Sequence, residues 1–204
     1  MMSNSKTKKL VGVAMLASLA WVISMLAFPV LPGSPFLKVD FSDLAVLFGM
    51  YVYGPAAGIT IAFIRSLLSY AQKGGEMGFP IGDTAAFIAS VSFTLPIYLV
   101  LIKHGSSLKN KIAGIFSSTL SLTVMMSVLN WLFIAPAYMA VMGFDVGPMR
   151  TYLLLAVVPF NLIKGVLVGL VFYVAFSKLK PWLDKTKKKY KKKRAHRMVA
   201  NETH

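Results

Sequence analysis

Long apolar runs separated by short polar breaks dominate the chain. A helix needs about 20 apolar residues to cross roughly 30 Å of hydrocarbon. Leu10 to Val30 meets that length, interrupted only by small or weakly polar residues, and a segment with three prolines, PVLPGSP, ends it. Residues 44–53 are apolar but span only about 15 Å as a helix. Gly54-Pro55 then forces a break, and residues 56–72 form a third element containing Arg65. After a loop with Lys73, Glu76 and Gly78, further apolar runs cover 83–102, 112–138 and 150–177, with Pro136 expected to fray the end of the fifth. The pattern predicts an all-α integral membrane protein with six transmembrane helices.

Charge placement orients it. With the N-terminus cytoplasmic, the inner segments hold Lys6, Lys8, Lys9, Lys103, Lys109, Lys111 and a basic tail. The outer segments hold Asp40, Asp43, Glu76, Asp83 and Asp145. This is the positive-inside arrangement, with both termini cytoplasmic. Merging 44–72 into one helix would place the basic 103–111 loop and the tail on opposite sides, so the segregation favours two elements there. Leu10–Val30 exceeds the 7–15 residues of a signal-peptide core, so it reads as a retained span.

Composition agrees. Hydrophobic residues make up 56% of the 204 and charged residues 14%, against about 25% in soluble domains. The net charge of +15 is concentrated: residues 178–204 carry 11 of the 22 Lys and Arg. The chain divides into a membrane domain, 1–177, and a basic cytoplasmic tail, 178–204. Such a tail reads as a topology signal and a contact for anionic lipid. With Tyr190 as its one aromatic residue beyond Trp182, it has no stacking platform for nucleic acid. The absence of cysteine excludes thiolate ligands and a thiol nucleophile.

Polar groups inside the apolar runs carry the candidate chemistry. Asn130 lies in the fifth span, and Asn161 and Lys164 lie in the sixth at i and i+3, on one helix face. Counted from the outer ends, both asparagines sit about 13–18 Å deep. Two amides and an ammonium suit a neutral, hydrogen-bond-rich cargo, whereas either asparagine alone also fits as interhelical glue. Glue predicts that the two amides bond each other and that Lys164 pairs with an acid or snorkels. Arg65 fits snorkelling or pairing with an acid. Asp43 and Asp83 are placed as helix caps. Phe79 beside the Gly-rich loop could pack on a planar ligand or anchor at the interface. Small residues at Gly12, Ala14, Ala17, Ser18 and Ala20 give the first span a flat face, suited to internal packing or to docking a partner. No P-loop, HExxH or GxSxG is present. The pair Asp40 and Asp43 leaves a metal-dependent membrane transferase as a weak alternative.

The stretches LKVDFSDLAVLFGMYVYGPAAGITIAFIRSLLSY, FPIGDTAAFIASVSFTLP and FNLIKG, in this order across six spans, resemble the riboflavin-specific S component of energy-coupling factor (ECF) transporters. The resemblance implies a non-enzymatic, multi-pass subunit of the cell membrane that binds riboflavin from outside. Riboflavin would be its transported ligand, with no resident cofactor or metal. A membrane T component and two ATPases would supply the energy. It implies a pocket built from Asn130, Asn161 and Lys164, with Lys38, Asp40 and Asp83 as further members, and docking through Gly12, Ala14, Ala17, Ser18 and Ala20. An S component for another vitamin is the nearest alternative.

Overall fold

The computed structural model describes residues 5–30, 37–105, 107–143 and 145–202, so most of the proline-rich segment after the first span lies outside the described residues. The chain opens with α1 (Ser5–Ser24). Two short antiparallel strands follow, β1 (Phe28–Pro29) and β2 (Lys38–Val39), pairing Phe28 with Val39 and Pro29 with Lys38. Next come α2 (Asp43–Tyr53), α3 (Pro55–Lys73) and α4 (Ile81–His104). Then α5 (Leu108–Leu129) passes through a widened π turn, Asn130–Ile134, into α6 (Ala135–Met142). A four-residue α7 (Met149–Tyr152) passes through a second widened turn, Leu153–Val157, into α8 (Val158–Glu202). These helices make six rods.

Among the described residues, four rods are long and apolar enough to cross a membrane: Lys6–Ser24, Ile81–Ile102, Leu108–Met142 and Met149–Tyr190. The other two, α2 and α3, are separate, as the charge pattern required. Gly54 joins them with φ at +97°, a conformation open to glycine, and Pro55 starts α3 at a position where its missing N–H costs nothing.

The shortness of α2 has a structural reason. Its start does not lie in a solvated loop: Val39, Ser42 and Asp43 are all buried in the bundle. The segment before the helix descends into the protein and covers depth that the helix does not. Asp43 is therefore neither the outer-loop charge nor the cap that the sequence predicted. Ser42 holds the N-cap position, and Asp43 points sideways into the bundle. Asp83 is likewise no cap, since α4 begins two residues before it.

The frayed end expected at Pro136 is absent. The helix continues to Met142 because the widened turn stands immediately before the proline. A wide turn changes the hydrogen-bond register, so the missing proline N–H and the ring are accommodated without a break. Pro159 stands in the same relation to the second widened turn, two residues after its last member. The predicted boundary at 177/178 falls inside α8, which runs through it unbroken.

Two apolar clusters hold the rods together. One joins α4, α5 and α8 through Phe93, Ile97, Leu122, Phe172 and Phe176. The other joins α1, α2 and α3 through Ala17, Ala20, Val46, Met50 and Ile61. Large apolar side chains also line the outside, among them Phe116, Leu132 and Leu155, each about 70% exposed. In water such surface would be a liability; against lipid it is the expected exterior.

Rods α5 and α8 approach closely at Gly165, where a Cβ would press on the side chain of Thr119, a β-branched residue with little room to move. Gly165→Val is expected to destabilise the protein by about 1–3 kcal/mol. Thermal unfolding in detergent measures this, and an unchanged Tm would show that the helices can separate freely at this point.

Candidate functional site

A charged network occupies the bundle where α2 begins. Arg65 of α3 and Asp43 of α2 form an ion pair 3.1 Å apart, both nearly inaccessible to solvent. Arg65 Nη1 also donates to Ser42 Oγ, and Nη2 donates to the Ala86 carbonyl of α4 at 3.0 Å. Ser90 Oγ donates to Asp43 Oδ1 at 2.5 Å. Of the two readings open for Arg65, pairing with an acid is the one observed. The pairing does not favour the transferase alternative, because Asp43 Oδ1 is already engaged by Arg65 and Ser90.

Asp40 continues this network. Its Oδ1 accepts from the Ser42 backbone N–H at 2.7 Å. Asp40 is half-buried and feels the charges of Lys164 and Arg65. α2 runs parallel to α8, with the Phe48 ring 5.9 Å from Phe172 and Tyr51 5.0 Å from Phe176. Lys164 is half-buried on α8, one turn beyond Asn161.

Asn130 and Asn161 are both buried, at 4% and 3% exposure. They do not bond each other, so the mutual pairing predicted by the glue reading is not found. Each turns its amide back on its own helix: Asn130 Nδ2 donates to Met126 O and Asn161 Nδ2 to Val157 O, both at 2.8 Å. Each bond sits at a widened turn. Asn130 is the first residue of one, and Val157 is the last of the other. Asn130 Oδ1 accepts a longer bond, 3.3 Å, from the Tyr152 hydroxyl. Since an amide has two N–H donors and an acceptor oxygen, each asparagine keeps hydrogen-bonding capacity that its own helix does not use. The two widened turns pack against each other, which brings the asparagine-bearing parts of the fifth and sixth rods together.

The Gly-rich loop between α3 and α4 is tied down rather than loose. Glu76 and Phe79 exchange backbone hydrogen bonds of 2.9 Å across a tight turn, with Met77 and Gly78 both at positive φ. Glu76 Oε1 accepts from the Tyr138 hydroxyl of α6 at 2.8 Å, and Oε2 accepts from the Gly82 N–H at 3.0 Å. Tyr70 of α3 donates to the Gly78 carbonyl at 2.8 Å. Asp83 is half-buried and acts electrostatically on Tyr138. Phe79 is 57% exposed beside this loop, and Lys38 is exposed on β2. These two are therefore at the rim, whereas Asn130, Asn161, Lys164 and Asp40 lie deeper. Ser42, Ser90, Tyr138 and Tyr152 were not anticipated; as hydroxyls on apolar helices they carry no charge to mark them.

The small-residue face of α1 divides in two. Ala17 and Ala20 are fully buried against α2 and α3, and Gly12 packs on Tyr53. Ala14 and Ser18 are exposed, next to exposed Met15 and Leu19.

The fold and this polar constellation define a helical membrane protein with a buried polar site between its rods. The chain matches the model of the family "ECF transporter, substrate-specific component" over residues 8–176, and it belongs to that family. It is 39% identical to riboflavin transporter FmnP of Bacillus subtilis over 183 residues, covering 88% of this chain and 95% of that protein. It is 31% identical to riboflavin transporter RibU of Staphylococcus aureus over 186 residues, covering 90% and 96% respectively. A solved structure described as the S component of a bacterial ECF transporter superposes with a TM-score of 0.72 at 32% identity, covering 87% of this chain and 98% of that one. The chain is thus a membrane-embedded transporter subunit and not an enzyme.

Replacing Arg65 with Met strands a buried carboxylate. The variant is expected to lose about 3–5 kcal/mol of stability. Adding Asp43→Leu should recover part of that loss, because the pair is then removed together. Thermal unfolding of the two variants and the parent checks this, and additive losses would show that the pair is not coupled.

Proposed function

We propose that this protein is the riboflavin-binding S component of an ATP-driven ECF importer. The similarity to riboflavin transporters over nearly the whole chain carries the choice of cargo. The observation in the structure that supports it is the unused hydrogen-bonding capacity of Asn130 and Asn161, buried together near Lys164. One edge of the flavin ring alternates carbonyl oxygens with an N–H. Amides offering both donors and acceptors, with a neighbouring ammonium, complement such an edge. Asn130, Asn161 and Lys164 would bond the ring edge or the ribityl hydroxyls, and the Asp40 carboxylate would help to orient Lys164. Lys38, Asp83 and Phe79 would contribute from the rim.

The membrane arrangement follows from charge. Six rods cross, with α2 as the short apolar one and α3 carrying Arg65, both termini lie in the cytoplasm, and the site opens outward. Residues 1–177 form the membrane domain, and 178–204 form a basic cytoplasmic tail into which α8 runs as far as Glu202. The T component, held with two ATPases, would dock on the exposed part of α1 at Ala14 and Ser18. Gly12, Ala17 and Ala20 would contribute from behind, by holding α1 close to α2 and α3.

Purified protein is expected to bind riboflavin in a 1:1 complex, measured by quenching of flavin fluorescence on titration. Asn161→Ala and Lys164→Ala should each weaken binding by about 10–100-fold, the effect of losing one hydrogen bond involving a charged or buried partner. Parent-like affinity in both variants would refute the site, and failure of the parent to bind riboflavin while binding another vitamin would refute the cargo.

The double variant Ala14→Leu/Ser18→Leu is expected to bind riboflavin normally but to lose association with the T component and ATPases. Co-purification of the assembled transporter checks this. Normal assembly would move the docking surface elsewhere.

A further inference from the structure

Where α8 emerges beyond its apolar part, it has two chemically different faces. One face is fastened to the end of α2. Leu183 is fully buried. The Tyr51 hydroxyl donates to Asp184 Oδ1 at 2.5 Å, and the Lys187 ammonium lies 4.0 Å from the centre of the Tyr51 ring. Tyr53 meets Tyr190 edge to face, with ring centres 5.4 Å apart. These contacts, at 183, 184, 187 and 190, recur at helical spacing and fix the rotation of α8 about its own axis. The opposite face is therefore fixed as well. It carries Lys178, Trp182, Lys185 and Lys189, all exposed and at spacings of four, three and four.

We infer that this face is a binding surface for anionic phospholipid headgroups on the cytoplasmic side of the membrane. The chemistry favours lipid as its occupant. Trp182 is 62% exposed and Leu179 41% exposed among the lysines. An exposed indole at the point where an apolar helix leaves hydrocarbon is suited to the interfacial belt. Val174, one turn before Lys178, is 61% exposed on the outside of the rod, where lipid is the expected neighbour. From Trp182, Lys185 lies about 5 Å and Lys189 about 10 Å further along the axis. Long, flexible lysine stems can fold back over that distance toward the phosphate layer. Lys178, one turn before Trp182, reaches forward to the same layer. The inference depends on the cytoplasmic placement of the tail but not on the identity of the cargo.

The test uses the full chain, purified in detergent and offered equimolar phosphatidylglycerol and phosphatidylcholine, with retained lipid counted by native mass spectrometry. The parent is expected to retain phosphatidylglycerol preferentially. Changing Lys178, Lys185 and Lys189 together to Gln should reduce that preference by about tenfold or more, since each lysine near an anionic surface is worth roughly a fivefold effect. The same three positions changed to Arg should keep it. Riboflavin binding should be unchanged in both variants, which separates this surface from the cargo site and shows that the variants are folded. A Gln variant with the parent's preference would overturn the proposal. So would a Gln variant that keeps its lipid preference but loses assembly with the other subunits, which would make the face a protein contact. A parent that binds single-stranded nucleic acid in preference to phosphatidylglycerol would also overturn it.

Discussion

The ion pair between Arg65 and Asp43 constrains more of this molecule than any single apolar contact. Inside a bundle surrounded by lipid, neither charge has water to turn to, so each must be answered by protein within hydrogen-bond reach. Arg65 sits in the middle of α3, and its acid therefore has to be brought down to it. That requirement draws the start of α2 below the loops and fixes α4 through the Ala86 carbonyl and Ser90. Three rods are thereby joined at one depth. A buried pair is weak evidence for net stability, because desolvation offsets much of its attraction. Its stronger effect is on geometry, since hydrogen-bonded charges permit far fewer arrangements than apolar packing does.

The same depth carries the candidate site, and the connection is physical. Ser42 donates from its backbone to Asp40 and receives Arg65 at its hydroxyl, so the residue that ends the ion-pair network also holds a carboxylate that feels the charge of Lys164. The asparagines are held by another device. A π turn places one extra residue in a helical turn and alters the direction of the side chains around it. In each of the last two rods, such a turn, a proline just after it and an asparagine bonded to its own helix occur together. Bonding one amide hydrogen to the helix sets the orientation of each side chain within the bundle.

Much of this was legible in the sequence, and for identifiable reasons. Apolar length revealed the long rods, and the segregation of charge separated α2 from α3 despite the shortness of the first. The three deep polar residues stood out because apolar helices carry few such groups, and those they do carry need a polar partner. What failed was the assignment of acids by their neighbours in sequence. Asp43 precedes an apolar run, which is the pattern of a cap, but its partner is 22 residues away on another helix. Local pattern cannot report a partner at that distance. Pro136 misled for a related reason: a proline in a helix is disruptive only if the turn before it keeps its ordinary register. The pairing of Pro136 with Asn130, and of Pro159 with Asn161, was present in the sequence as a weak sign of altered turns.

The small residues of α1 show how a single sequence feature divides into two uses. A stripe of Gly, Ala and Ser wide enough for one packing face cannot also be wide enough for two, yet five such residues occur between Gly12 and Ala20. In the fold, Ala17 and Ala20 bring α1 against α2 and α3, while Ala14 and Ser18 remain on the outside. The two sets face opposite ways, one into the bundle and one out of it. Helices in lipid gain no hydrophobic advantage by associating, so close approach and van der Waals contact must do more of the work. The buried set makes α1 a fixed part of the bundle that holds the candidate site, and the exposed set leaves a shallow face on that same rigid element. That face belongs to the α1–α2–α3 unit, in which Arg65 and Asp43 hold α2 at the depth of the candidate site.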